Sequence, residues 1–163
     1  MTRRGLAVVE REAHLRWESL QILPRQGNRL LQLGVVLILF SCFFGFLVPV
    51  VRSERVGLSV HTLSAFEGVL LLAQGLAWTR LRLTPTTARL AFWCSIYATL
   101  AILAAYLVAA ILGVGVDTLR LVGELPHGLA RGTAFQETLI AVLAYSSAPP
   151  GMVAFGLMLW GLR

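Results

Sequence analysis

The chain has 163 residues, 57% hydrophobic and 13% charged, with 14 basic against 8 acidic residues for a net charge of +6. That charge fraction is about half of what a soluble globule carries, so little chain is left for a water-exposed module beyond a single membrane-embedded domain. The basic residues are all Arg and sit beside apolar runs, without a helix-turn-helix pattern or a zinc-ligand cluster, so the expected partner is the lipid bilayer and not nucleic acid.

Residues 1–29 form a cytoplasmic N-terminal segment. Leu6, Val9, Ala13, Trp17 and Leu20 recur at three- and four-residue spacing. This predicts a short amphipathic helix on the membrane surface, ended by Pro24; a disordered basic tail is the alternative. Residues 30–163 then hold four apolar runs, at 30–51, 56–78, 90–116 and 138–162. Each exceeds the roughly 20 residues that cross the hydrocarbon core as a helix, and helices are the form that satisfies its own backbone in lipid. The expected fold is therefore all-α, an integral membrane four-helix bundle. Ten arginines lie on the side of the termini and four on the other. The positive-inside rule places both termini in the cytoplasm, as in a multi-pass protein of the inner membrane. Trp78, Trp93 and Trp160 stand near span ends, where interfacial belt residues are expected. Pro149 and Pro150 are expected to kink the fourth span. Cys42 and Cys94 fall within spans and read as small buried hydrophobes without a disulfide or metal pattern.

Ionisable groups inside a span are costly and are the first candidates for function. The second span carries His61 and Glu67. At about 100° per residue, His61, Ser64, Gly68 and Gly75 share one stripe of that helix. Small residues beside a histidine offer a flat face to a planar group, with the imidazole as axial ligand of a haem. Equally, the stripe is a face for close helix packing, with His61 bonded to a neighbour. Glu67 lies roughly 120° around the helix and near the bilayer middle. A carboxyl at that depth is expected neutral unless a cation or metal faces it, and it either donates a hydrogen bond to a substrate or ties two helices together. In the third span Ala101, Ala105, Ala109 and Gly113 make a small-residue ridge for packing, and Tyr106 beside it is a packing group or a donor in a pocket. Glu137, at the outer edge of the fourth span, reads as an exposed or capping carboxylate.

At these residues the chain resembles the hydroxylaminobenzene mutases and the related styrene oxide isomerases, small four-helix membrane proteins. The resemblance runs from about Gln26 to Arg163. It is carried by Gln26-Gly27-Asn28-Arg29-Leu30-Leu31, Gly57-Leu58-Ser59-Val60-His61, Leu81-Arg82-Leu83-Thr84-Pro85, Gly132-Thr133-Ala134-Phe135-Gln136-Glu137 and Leu159-Trp160-Gly161-Leu162. It implies haem b with His61 as axial ligand and metal-binding residue, Ser64 and Gly68 beside the cofactor, and a homo-oligomer, a trimer in the isomerase branch. An Asn-Gly pair of the family falls on Glu67-Gly68, a tyrosine important to the isomerases on Tyr106, an acidic residue on Ala98 and a shared asparagine on Ile102.

The implied activity is an intramolecular rearrangement of a small apolar aromatic substrate. A hydroxylamino-arene would give an aminophenol, or an aryl epoxide an aldehyde, with haem iron as Lewis acid and with Tyr106 and Glu67 as catalytic groups. Two rivals are a non-catalytic membrane haem subunit and a packing or assembly protein without a cofactor.

Overall fold

The computed structural model describes the backbone of residues 3–119 and 129–163, and side chains from residue 22 onward outside the 120–128 loop. It contains four long helices, α1 (Arg3–Leu47), α2 (Glu54–Trp78), α3 (Pro85–Leu112) and α4 (Ala134–Gly161). All four hold segments long and apolar enough to cross a membrane, the first being Ile22–Val50. The all-α expectation holds.

Helix ends follow local chemistry more closely than hydropathy does. The third span begins at Pro85 and not at residue 90, because Thr84 caps it by accepting the Thr87 N–H and proline is pre-set for the first helical position. It stops at Gly113, which takes the left-handed conformation (φ 67°) that closes a helix and that a side chain would strain. The fourth span starts four residues early through a capping box between Thr133 and Gln136. Pro24 does not end α1, which is continuous through it. One lost backbone bond costs about 3 kcal/mol, and docking immediately beyond it opposes the break: the Trp78 indole N–H donates to Gln26 across the α1–α2 interface. The side chains of Leu6, Val9, Ala13, Trp17 and Leu20, on which the interfacial reading rests, lie outside the described residues, as do Arg120, Pro126 and His127. α4 continues as a helix through Pro149 and Pro150.

The bundle is two antiparallel hairpins. α1 packs chiefly on α2, and α3 on α4, with α2 touching α3 between them. On the α1–α2 seam, Gly27 faces Gly75 and Gly34 faces Gly68, seven residues on along each helix, and Ser41 faces His61 after a further seven. A Cβ added at Gly34 would stand 2.7 Å from the Gly68 carbonyl oxygen, and one at Gly68 would stand 2.8 Å from that of Gly34. The backbones therefore meet directly, as glycine allows and larger residues do not. Ala101, Ala105 and Ala109 are buried, as the packing reading of their ridge requires.

Two expectations are corrected. Trp78 is fully buried against α1 and is not a belt residue, unlike Trp93 and Trp160, which are more than half exposed. Cys42 lies on the outer surface, not in the core.

Candidate functional site: a polar cavity at the bilayer midplane

Among the described helices α2 and α4 do not pack on each other. The space between them, walled by α3, is a cavity of about 190 Å³. Glu67, Thr99 and Ser147 reach it from near the midpoints of α2, α3 and α4. The cavity therefore sits at mid-bilayer. Leu70, Ala98, Ile102 and Phe155 supply apolar wall between the polar groups. An apolar hole of about 150 Å³ already takes a benzene ring, so this volume suits one ring with a short substituent.

The polar wall follows from spacing. Glu67 and Gln74 are seven residues apart and so share a face of α2. Ser95, Thr99 and Ile102, at four and seven, share a face of α3. The Thr99 hydroxyl donates to Glu67 Oε2 at 2.8 Å, which fixes the carboxyl across the α2–α3 interface. Ser147 is satisfied by its own helix, donating to the Ala144 carbonyl. Gln74 and Ser95 are 5% and 3% exposed, and Gln74 Oε1 and Ser95 Oγ have no hydrogen-bond partner. No cationic side chain lines the cavity. Of these groups only Glu67 was anticipated from the sequence. Gln74, Ser95, Thr99 and Ser147 were missed, although the heptad spacing of Glu67 and Gln74 in an otherwise apolar span was a legible signal.

The other candidates stand elsewhere. His61 is on the α1–α2 seam. Its Nδ1 lies 2.8 Å from the Ser41 carbonyl oxygen, and the Ser41 hydroxyl donates to the His61 carbonyl at 2.6 Å. A carbonyl can only accept, so Nδ1 carries the hydrogen, and it is Nε2 that holds the lone pair in the corresponding neutral tautomer. That is the arrangement by which a second group orients a metal-binding imidazole. His61 is half-buried and borders none of the cavities described. Among the described residues no three metal-ligating side chains cluster.

Ser64 and Gly68 lie against the α1–α2 seam. Ser64 is fully buried, with its hydroxyl turned back onto the Val60 and His61 carbonyls. Gly68 is covered by Gly34 and Ile38 of α1. α1 occupies the stripe. Tyr106 lies seven residues past Thr99, about 10 Å along α3, in a shallow groove with Thr62 and Phe66. The structure thus does not bring His61, Glu67 and Tyr106 into one cavity.

Glu137 is neither exposed nor a helix cap. It is buried and accepts backbone N–H bonds from Gly115, Gly132 and Asp117, at 3.0, 2.8 and 3.3 Å. It is an anchor for the chain between α3 and α4. Just outside it, Asp117 holds the exposed Arg131 at 2.8 Å, and this hydrogen bond raises the guanidinium's already high pKa further.

Comparison with known proteins adds the chemistry. The chain is 40% identical over 137 residues to hydroxylaminobenzene mutase HabB of Ectopseudomonas oleovorans, covering 84% of this chain and 81% of the relative. It is 31% identical over 129 residues to hydroxylaminobenzene mutase HabA of the same organism, covering 79% of this chain and 93% of the relative. No solved structure matches. The family model described as styrene oxide isomerase matches residues 26–163, nearly the whole of the four-span region. The chain therefore belongs to the styrene oxide isomerase family, a membership that supports an isomerase.

Proposed function

We propose that the chain is a membrane-embedded mutase that rearranges a small apolar aryl hydroxylamine to an aminophenol inside the α2–α3–α4 cavity, with Glu67 handling the proton. The observation that carries this reading is the placement of Glu67. It is an ionisable side chain at mid-bilayer, fixed by Thr99, on the wall of a cavity sized for one substituted ring. The curated relatives favour the hydroxylamine over the epoxide, since both are named as mutases.

In the rearrangement the N–O bond breaks, a C–O bond forms on the ring, the ring carbon loses a proton and the nitrogen gains one. The product is an isomer, and no electrons enter or leave. Negative charge develops on the departing oxygen. A protonated Glu67 carboxyl donates a hydrogen bond to it; once the C–O bond has formed, one carboxyl oxygen accepts the proton that the ring carbon loses while the other gives its proton to the nitrogen, so the carboxyl ends as it began. Thr99 holds the carboxyl at one rotamer, so this donor is already in place when the charge appears. The apolar wall keeps water from trapping an electron-poor ring.

Haem b at His61 remains part of the proposal, on the ground that Nδ1 is tied to Ser41 and Nε2 keeps its lone pair. Held there, its iron would supply Lewis acidity on the α1–α2 side of the bundle, apart from the cavity that holds Glu67. Ser64 is buried, Gly68 is covered by α1, and Tyr106 lines the neighbouring groove with Thr62 and Phe66. Arg25, Arg29, Arg80, Arg82, Arg89 and Arg163 gather at one end of the bundle, where the Arg82 N–H donates to the Gly161 carbonyl. This supports an inner-membrane orientation with both termini cytoplasmic. A homo-oligomer, as a trimer, is proposed from the family resemblance alone.

The test is product analysis on detergent-purified protein given hydroxylaminobenzene and, separately, styrene oxide. Aminophenol from the first is expected. Glu67→Gln preserves the size of the side chain and an oxygen to accept from Thr99. It should lower kcat by roughly 10²- to 10³-fold with little change in KM. Wild-type turnover in Glu67→Gln would remove the carboxyl from the mechanism.

A further inference from the structure

Polar side chains in these spans satisfy themselves almost everywhere. Ser64, Thr62 and Ser147 turn back onto carbonyls of their own helices. Gln26 pairs with Trp78, Ser41 with His61 and Thr99 with Glu67. Against that pattern Gln74 Oε1 and Ser95 Oγ are buried and unpaired. Both belong to the wall of the same cavity. Leaving a buried polar atom unpaired is unfavourable, most of all where lipid and not water surrounds the bundle. Ser95 has an α-helical carbonyl within reach of the ordinary serine back-bond and does not use it.

Position says what such a pair would hold. Gln74 is seven residues past Glu67, about 10 Å along α2. Ser95 is one turn before Thr99, about 6 Å along α3 in the opposite chain direction. The two therefore meet at one end of the cavity, the cytoplasmic end in the proposed orientation, while Glu67 and Thr99 occupy the other. Leu70 and Ala98 lie between the two polar levels. The gap is that of one aromatic ring with groups on opposite carbons.

We propose that Gln74 and Ser95 form a second hydrogen-bonding subsite that takes a polar substituent on the ring, opposite the group that Glu67 handles. The inference rests on the reading of this cavity as the isomerase site. The glutamine amide offers an acceptor and a donor, and the serine hydroxyl can act as either. The matching substituent carries an O–H or N–H, as a hydroxymethyl, hydroxyl or carboxamide group does, and an alkyl group of the same size leaves both protein atoms unpaired. The preferred substrate is then a para-substituted aryl hydroxylamine and not the bare ring.

Binding separates this from catalysis. The probes are 4-(hydroxymethyl)aniline and 4-ethylaniline, matched in shape and unable to rearrange. Their Kd values are measured by calorimetry on the full chain in lipid nanodiscs. The ratio of the two constants is compared between wild type, Gln74→Met and Ser95→Ala, so that partitioning of each probe into lipid cancels. Gln74→Met should shift the ratio about tenfold toward the ethyl compound, the size of one hydrogen bond, and Ser95→Ala should shift it in the same direction. Ser95→Ala removes one oxygen only, so it keeps the test open if Gln74→Met fails to fold. An unchanged ratio in the folded variants overturns the subsite and leaves ordered water as the partner of both atoms. If the ratio shifts but wild type rearranges no hydroxylamine, the subsite stands and the isomerase reading fails. If wild type rearranges the substrate and the ratio does not shift, only the subsite falls.

Discussion

Two titratable side chains in one helix have been given different work by their neighbours. Glu67 faces a cavity and is held by one hydroxyl. His61 faces α1 and is tied to both the carbonyl and the hydroxyl of Ser41. The sequence shows both as costly groups in lipid, but nothing in it says which one meets a void, because that depends on where α4 stands. The stripe that suggested an open face around His61 is real as a pattern. Its small residues let another backbone approach, and the pattern is the same whether that backbone or a cofactor fills the space. His61 keeps one measurable prospect. Protein purified after growth with haem supplied should show a Soret band that His61→Ala loses, because Nε2 is the free lone pair that Ser41 orients. A colourless wild type under those conditions removes haem from the proposal and leaves His61 as the polar lock of the α1–α2 seam.

Among the elements, the middle of each helix was legible and the ends were not. Apolar runs locate a span, but its first and last turns are set by capping: Thr84 and Pro85 for α3, Thr133 and Gln136 for α4. The stretches that carry the family resemblance lie largely at such junctions. Leu83 packs on Gly161, Gln26 bonds Trp78, and Gly132 donates to Glu137. They fix where helices stop and meet. Two substitutions test this. At Gly34, where a Cβ would stand 2.7 Å from a carbonyl oxygen, Gly34→Val must push α1 from α2. It is expected to destabilise by about 1–3 kcal/mol, as overpacking does, read as a lower thermal midpoint in detergent. Glu137→Ala strands three backbone N–H groups. At about 1 kcal/mol or more for each, it should cost about 3 kcal/mol. A midpoint unchanged in Glu137→Ala would mean that the loop finds other acceptors.

For the molecule as a whole, the arrangement of two hairpins accounts for a void that side-chain choice alone would not create. α1 and α2 close tightly over glycine, α3 packs on α4, and the two hairpins meet mainly through α2 and α3, with a lesser contact of α1 on α3. The far sides of α2 and α4 are left apart, and the cavity of about 190 Å³ is what remains. A bundle selected for stability alone would fill it. Space left unfilled forfeits packing contacts on the residues that line it. Ala98 is the natural place to fill it, being small, half-buried and on the wall between the two polar levels, close to that of Thr99. Ala98→Leu adds three carbons into the void without removing a hydrogen bond. If the void is the site, the variant should unfold at a higher temperature and lose nearly all turnover, since the ring no longer fits beside Glu67. If the chemistry instead occurs at the groove beside Tyr106, Ala98→Leu would gain stability and keep its activity. Measuring both on one preparation distinguishes a cavity kept open for a substrate from one left by imperfect packing.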